Sequence, residues 1–256
     1  MAIYYEVREC LADEQELVLA EAYGAGAVGV EEQDLPGGRS RLLVYYHDPG
    51  PGRRPVDETI DWQSVSEQPW LPVTIGERLW LAPPWLDEDP PPGRLRLNYL
   101  RGQASGTGFH AATRVSLWAI ERYLRPGMSF LDVGAGSGIL CQAAELLDAG
   151  AIIGCDIDHP STVIAAANAP NPFFTGSVRS IRDASFDLVV ANVNATVVSL
   201  LAADLRRILV PGGWFIASGF RREETPRVEL EPVERLELEG WSAVIYRRSA
   251  ESRPML

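Results

Sequence analysis

The chain is predicted to be α/β: a parallel sheet with helices on both faces, preceded by a small α+β unit. Three observations carry this. From Met128 onward, short apolar runs alternate with stretches of helical spacing, the pattern of a doubly wound sheet. The first of these stretches is Phe130-Leu131-Asp132-Val133-Gly134-Ala135-Gly136-Ser137-Gly138-Ile139-Leu140, which reads as strand, glycine-rich turn and helix. The first sixty residues are ordered differently, as strand, helix, strand, strand.

In the N-terminal part, Ala2 to Arg8 alternates as a strand. Asp13-x-x-Glu16 has the form of a capping box. The helix it starts is expected to turn Leu17, Ala20 and Tyr23 inward, until Gly24 and Gly26 stop it. Ala27 to Glu31 is a second strand, Asp34 to Gly38 a turn, and Arg41 to Tyr46 a third strand. This is the first half of a ferredoxin-like sandwich. Asp48 to Arg54 is too rich in Pro and Gly for the second helix, so residues 1–60 are expected to form a reduced version.

Residues 61–100 follow as an interdomain segment. Trp62, Trp70, Trp80 and Trp85 fall here, four of the seven tryptophans, and are expected to seal a domain junction. Asp87 to Gly93 is a solvated loop, and Arg94 to Tyr99 a short strand.

Residues 101–256 form the doubly wound part. A polar glycine-rich loop, Arg101 to His110, leads into a helix over 113–124, which Pro126-Gly127 ends. Strand 128–133, helix 138–148, strand 151–156, helix 160–168, strand 172–175, strand 186–191 and helix 196–209 follow. Pro211-Gly212-Gly213 turns into strand 214–218. Pro226 and Pro232 leave little room for a helix after Gly219, and Val233–Leu238 with Trp241–Arg247 reads as a hairpin.

Composition narrows the function classes. The chain has 256 residues, 46% of them hydrophobic, enough for one large domain and a small one. Its net charge is −12, and all of its positive charge is arginine, with no lysine. An acidic chain without basic runs argues against a nucleic-acid backbone as partner and suits a basic protein. Cys10, Cys141 and Cys155 lack metal or disulfide spacing, so small core residues are expected and no metal. No apolar stretch is long enough to span a membrane, and the N-terminus lacks a basic, then apolar leader pattern. A cytoplasmic monomer is expected.

The glycine-rich turn is not the dinucleotide fingerprint. That pattern, G-x-G-x-x-G, cradles a pyrophosphate. Here Asp132 precedes glycines at alternate positions, where its charge would repel a phosphate but could face an ammonium group. Asp156 ends the second strand, where a carboxylate can accept both hydrogen bonds of a ribose diol. A bare glycine-rich turn would explain the glycines alone; the two aspartates favour a nucleoside that carries an amino acid.

This stretch resembles the first motif of S-adenosylmethionine-dependent methyltransferases of the Rossmann-like class. Further motifs resemble one group of them, the PrmA family, bacterial methyltransferases of the eleventh large-subunit ribosomal protein. Ile75-Gly76-Glu77-Arg78-Leu79-Trp80-Leu81-Ala82-Pro83-Pro84-Trp85 is similar to its interdomain region, and Gly106-Thr107-Gly108-Phe109-His110 to its FGTGxH loop. Gly154-Cys155-Asp156-Ile157-Asp158, Asp187-Leu188-Val189-Val190-Ala191-Asn192 and Ser218-Gly219 are similar to its later motifs. The likeness runs from about Asp61 to Arg248.

The resemblance implies a class I methyltransferase sheet, with S-adenosylmethionine as cofactor and amino groups of a protein as acceptors. Gly134 and Gly136 would hold the amino-acid part of the cofactor, with Asp132 beside them. Asp156 would bind the ribose, Ser177 would flank the adenine, and Thr107 would contact the methionine moiety. Asn192 would sit beside the transferable methyl and orient the acceptor amine. The 100–105 stretch departs from the family loop, with Ser105 where an aromatic ring is usual. That departure leaves two alternatives: transfer to another nucleophile, or a cofactor-binding module without transfer. Bland roles also stand beside the functional ones: Asn192 or Asp158 as helix caps, His110 as a hydrogen-bonded structural histidine rather than a substrate or loop-ordering residue, Thr107 as a turn residue.

Overall fold

The computed structural model describes residues 4–11, 14–35, 39–55, 72–84, 86–98 and 110–250. It divides after Pro69 into two units. The first contains strand β1 (Tyr4–Leu11), helix α1 (Gln15–Gly24), and strands β2 (Gly29–Leu35), β3 (Arg39–Tyr46) and β4 (Arg54–Pro55). The sheet order is β2-β3-β1-β4, with antiparallel pairings throughout. This is the strand order of a ferredoxin-like sandwich. Residues 47–53 carry Pro49, Gly50, Pro51 and Gly52 in place of its second helix, and β4 is cut to two residues. Ser40, Leu42, Val44 and Tyr46 alternate inward on β3, as the period of a strand requires. Cys10, Ala22, Val18 and Leu19 complete that small core.

Three details of this unit differ from the sequence reading. Tyr23 is 55% exposed. The inward stripe is Val18, Leu19 and Ala22, and Tyr23 lies about 100° round the helix from Ala22. Glu14 is the N-cap residue of α1, without a side-chain capping bond, and Asp13 and the side chains of Leu17 and Ala20 lie outside the described residues. Strand β2 continues past Glu31 because its ladder with β3 holds as far as Leu35↔Arg39.

The second unit opens with β5 (Val73–Ile75), β6 (Leu79–Ala82) and β7 (Leu95–Asn98), a three-stranded sheet in that order. Only β7 was expected; β5 and β6 are too short for a period to show. Helix α2 (Ala111–Tyr123) closes the β5–β6 turn from behind. The Glu121 carboxylate accepts the N–H groups of Glu77, Arg78 and Leu79 at 2.6, 3.1 and 3.2 Å. Arg94 donates to the carbonyls of Gly76 and Leu79, and Arg96 to those of Pro83, Leu86 and Glu88. Ile75, Leu79, Leu81 and Leu97 share one core with Val115, Leu117 and Ile120 of α2. Burying each such aliphatic side chain contributes about 1.5–3 kcal/mol. Trp80 is a buried strand residue of this unit; Trp62, Trp70 and Trp85 lie outside the described residues.

The main sheet follows. Its elements are β8 (Phe130–Val133), α3 (Ile139–Leu146), β9 (Ile152–Asp156), α4 (His159–Asn168), β10 (Phe173–Thr175), β11 (Phe186–Asn192), α5 (Ala195–Ile208), β12 (Leu209–Arg221), β13 (Glu231–Leu238) and β14 (Trp241–Arg247). The strand order is β10-β9-β8-β11-β12-β14-β13. The first five strands are parallel, and β14 runs antiparallel to both neighbours. All four residues of β8 are buried, as a sheet covered on both faces requires. The chain winds outward from β8 to β10, then returns to β11. The crevice at the β8/β11 switch point is where such sheets bind ligands.

Strand β12 begins at Leu209, five residues before the expected Trp214. Leu209 pairs with Phe186, and the ladder resumes at Leu188↔Trp214 after an irregularity. Pro211-Gly212-Gly213 is thus a bulge within the strand. The terminal hairpin turns at Glu239 and Gly240, both with positive φ, the backbone of a tight hairpin turn. Cys10, Cys141 and Cys155 are buried thiols outside any disulfide, and no metal-ligating group of side chains occurs among the described residues. No helix among them is long and apolar enough to cross a membrane.

Candidate functional site

Five of the seven residues expected at the site come together at the C-terminal ends of the parallel strands. The turn after β8 folds over the end of β9. Gly134 and Ala135 donate their N–H groups to the Cys155 carbonyl at 2.8 and 3.0 Å. Gly136 donates its own to Asp156 Oδ2 at 3.0 Å. The second carboxylate oxygen of Asp156, Oδ1, accepts the Asp158 N–H at 3.0 Å. The Asp156 side chain is therefore fixed by two backbone donors, and each oxygen keeps a lone pair for a further donor. The Asp156 carbonyl in turn accepts from Gly176 N at 2.8 Å, which brings the end of β10 alongside. Ser177 follows, its hydroxyl accepting from Arg179 N at the start of a short 3-10 helix.

Asn192 is the last residue of β11 and stands in register with Ser218 on β12. It is half-buried, and its carboxamide contacts the hydroxyls of Thr113 at 3.4 Å and Ser218 at 3.3 Å. It does not cap the next helix. Asn194 does, accepting from Val197 N at 2.9 Å. The strand end is held by Val193, wedged between two glycines. A Cβ on Gly134 would meet Val193 Cγ1 at 2.6 Å, and one on Gly219 would meet its backbone N, O and C at 2.7–2.9 Å. Both glycines also have positive φ, +75 and +92, so only glycine fits there without strain.

Asp132 is placed differently from the expectation. Its side chain is fully buried under the turn and does not open towards the crevice. The Cys141 thiol donates to its Oδ2 at 3.8 Å, and its Oδ1 has no hydrogen-bond partner among the described residues. Burial, then the charge of Asp156, raises its pKa to about 7. Burial also pushes the Cys155 thiol up to about 12 and raises that of Cys141. Neither thiol is poised as a nucleophile.

Thr107 and the whole 99–109 loop lie outside the described residues. His110 caps α2, its ring accepting from Ala112 N at 3.3 Å and packing edge-on against Trp241 at 4.5 Å. Asp158 caps α4, accepting from Ser161 N at 2.9 Å. These are the structural roles weighed for both. Sequence reasoning missed Ile157, 82% exposed immediately after Asp156, and Ser218 beside Asn192. An isoleucine following a strand-end carboxylate was a legible signal; a serine buried against a helix was not.

The residues fit the nucleoside expected from the motifs. A strand-end carboxylate, an exposed apolar side chain next to it and a turn of backbone N–H groups suit a ribose, a base and an amino-acid tail.

Comparison with known proteins places this architecture. A family model described as "Ribosomal protein L11 methyltransferase (PrmA)" matches residues 53–248. The ribosomal protein L11 methyltransferase of Desulfosudis oleivorans is 35% identical over 77% of this chain and 74% of its own length. That of Cupriavidus taiwanensis is 33% identical over 84% of this chain and 80% of its own. A crystal structure of the ribosomal protein L11 methylase of Lactobacillus delbrueckii subsp. bulgaricus superposes with a TM-score of 0.63 at 27% identity. It covers 70% of this chain and 100% of that one. The chain with this crevice at its β8/β11 switch point belongs to the ribosomal protein L11 methyltransferase (PrmA) family.

Proposed function

We propose that the chain transfers methyl groups from S-adenosylmethionine to amino groups of a ribosomal protein of the L11 kind, on a lysine side chain or N-terminal amine. The observation that carries this reading is the crevice itself: the turn at 134–138, Asp156 and Asn192 meet at one switch point, within a chain of this family. The cofactor would supply an electrophilic methyl group. Gly134 and Gly136 would hold its amino-acid part, Asp156 its ribose, and Ser177 and Ile157 the two sides of its adenine. Thr107 is assigned to the methionine moiety by motif alone.

The chain's own part in the reaction is positioning. An ammonium has no lone pair, so the acceptor must be neutral before it attacks. Asn192, at the strand end, would hydrogen-bond that amine and aim its lone pair, and water would take the released proton. The N-terminal unit is assigned to recruiting the protein acceptor. Residues 1–69 carry fourteen Asp and Glu against five Arg, a net −9 of the chain's −12. A basic acceptor is drawn to such a surface. The expected location is the cytoplasm, and the expected state a monomer without direct nucleic-acid or membrane contact.

Calorimetry with S-adenosylhomocysteine tests the cofactor site. Asp156→Ala should weaken binding by about 1.5–3 kcal/mol, the scale of charge-assisted hydrogen bonds. Equal affinity of the variant and the native chain would remove Asp156 from the site.

A further inference from the structure

Two hydroxyls lie where the packing would otherwise be apolar. Ser116 faces inward from α2, among Val115, Leu117, Ala119 and Ile120, and is 0% exposed. Ser218, on β12, is also 0% exposed. Their oxygens are 2.6 Å apart. Ser116 Oγ also lies 2.6 Å from the Ala112 carbonyl oxygen, and Ser218 Oγ 3.3 Å from the carboxamide of Asn192. Buried hydroxyls cost free energy unless they are bonded, and two alanines here would avoid the cost. The pair therefore calls for a reason beyond packing.

Counting hydrogens orients the Asn192 amide. A carbonyl oxygen cannot donate, so the contact with Ala112 O uses the single hydrogen of Ser116. Ser218 must then donate its own hydrogen to Ser116 Oγ. Both hydrogens are now committed, and Ser218 faces Asn192 with lone pairs only. The amide is placed with Oδ1 towards Ser218 and Nδ2 towards Thr113; the hydrogen count calls for the reverse, NH2 towards Ser218 and the oxygen towards Thr113, whose hydroxyl then donates. The opposite orientation would leave two acceptors, Ser116 Oγ and Asn192 Oδ1, competing for the one hydrogen of Ser218. Amide nitrogen and oxygen are nearly isosteric, so the network, not the shape, decides.

We propose that Ser218 and Ser116 are positioning residues that hold the Asn192 carboxamide in this one orientation for the acceptor amine. The inference rests on the reading that Asn192 faces that amine. Ser218 touches Asn192 but not the acceptor; Ser116 acts one bond further back, by consuming the Ser218 hydrogen. Removing Ser116 frees that hydrogen to reach Asn192 and lets the amide turn over.

The test is a double-mutant cycle on the full chain, with S-adenosylmethionine and purified ribosomal protein L11. It follows kcat, KM for the protein, cofactor affinity by calorimetry, and Tm. Ser218→Ala should lower kcat about tenfold or more, since the acceptor is misaligned. KM and cofactor affinity should stay within about twofold. In an Asn192→Ala background the same change should have no further effect, because its route runs through Asn192. Ser116→Ala should lower kcat in the same background-dependent way, and Ser218→Cys should recover part of the loss. A full kcat in Ser218→Ala, or an equal fold-loss in both backgrounds, overturns the proposal. Should Ser218→Ala fail to fold, Ser116→Ala carries the same comparison. A full kcat in Asn192→Ala alone would instead overturn the reading of Asn192.

Discussion

At the scale of the residue, two neighbouring asparagines divide the work. Asn194 is spent on the helix, capping α5, which leaves Asn192 to the crevice. Asn192→Ala should therefore lower turnover far more than cofactor affinity, measured as single-turnover rate against calorimetric Kd. A proportional fall in both would make its role structural. Asp132 gives a second test. Its folded pKa is raised from 3.8 to about 7, first by burial and then by Asp156. Between those values the folded chain keeps a proton that the unfolded chain has lost. Its contribution is thus fully present below the unfolded pKa and is lost as pH rises towards 7. Asp132→Asn should flatten the decline in denaturant midpoint between about pH 4 and about pH 7. An unchanged pH slope would show that the carboxyl is not so perturbed. The sequence made the identity of these side chains legible, because strand ends and turns are punctuated by glycine and aspartate. It did not make burial legible. Whether Asp132 faces a ligand or lies beneath the turn depends on Cys141 from α3, nine residues on.

At the scale of the element, the long-period features were readable and the short ones were not. Strand–turn–helix units from Phe130 to Ile208 carry enough apolar repeats to show their period, and their observed bounds lie within three residues of the expected ones. Strands β5 and β6, three and four residues long, carry no period. They exist because Glu121, some forty residues away, fills the turn between them. The bulge in β12 was hidden for the same reason: Pro211-Gly212-Gly213 reads as a turn until Leu209 finds Phe186. The Ser218-Gly219 step has a defined task, to let the Asn192-Val193 backbone pass at van der Waals distance. Gly219→Ala places a Cβ 2.7 Å from Val193 N and forces a strained φ. It should cost about 1–3 kcal/mol in denaturant melts and lower kcat by moving Asn192. Native stability in that variant would contradict the wedge.

At the scale of the whole molecule, charge and chemistry are separated. The first 69 residues hold −9 of the charge, and the remaining 187 only −3. A chain beginning at Trp70 should retain cofactor affinity by calorimetry yet lose methylation of the protein acceptor. For the full chain, kcat/KM should fall as salt rises, because the attraction is screened over roughly 10 Å at 0.1 M. A salt-independent kcat/KM, or full methylation by the shortened chain, would place recognition elsewhere. The reading as a whole turns on the acceptor. The most direct measurement is transfer of radiolabelled methyl from S-adenosylmethionine to purified ribosomal protein L11, with the label mapped by peptide mass spectrometry across pH. The account predicts label on lysine side chains or the N-terminal amine, at a rate that rises with pH towards the amine's own pKa, about 10.4 or about 8. Cofactor binding without label on any amino group of that protein would contradict it.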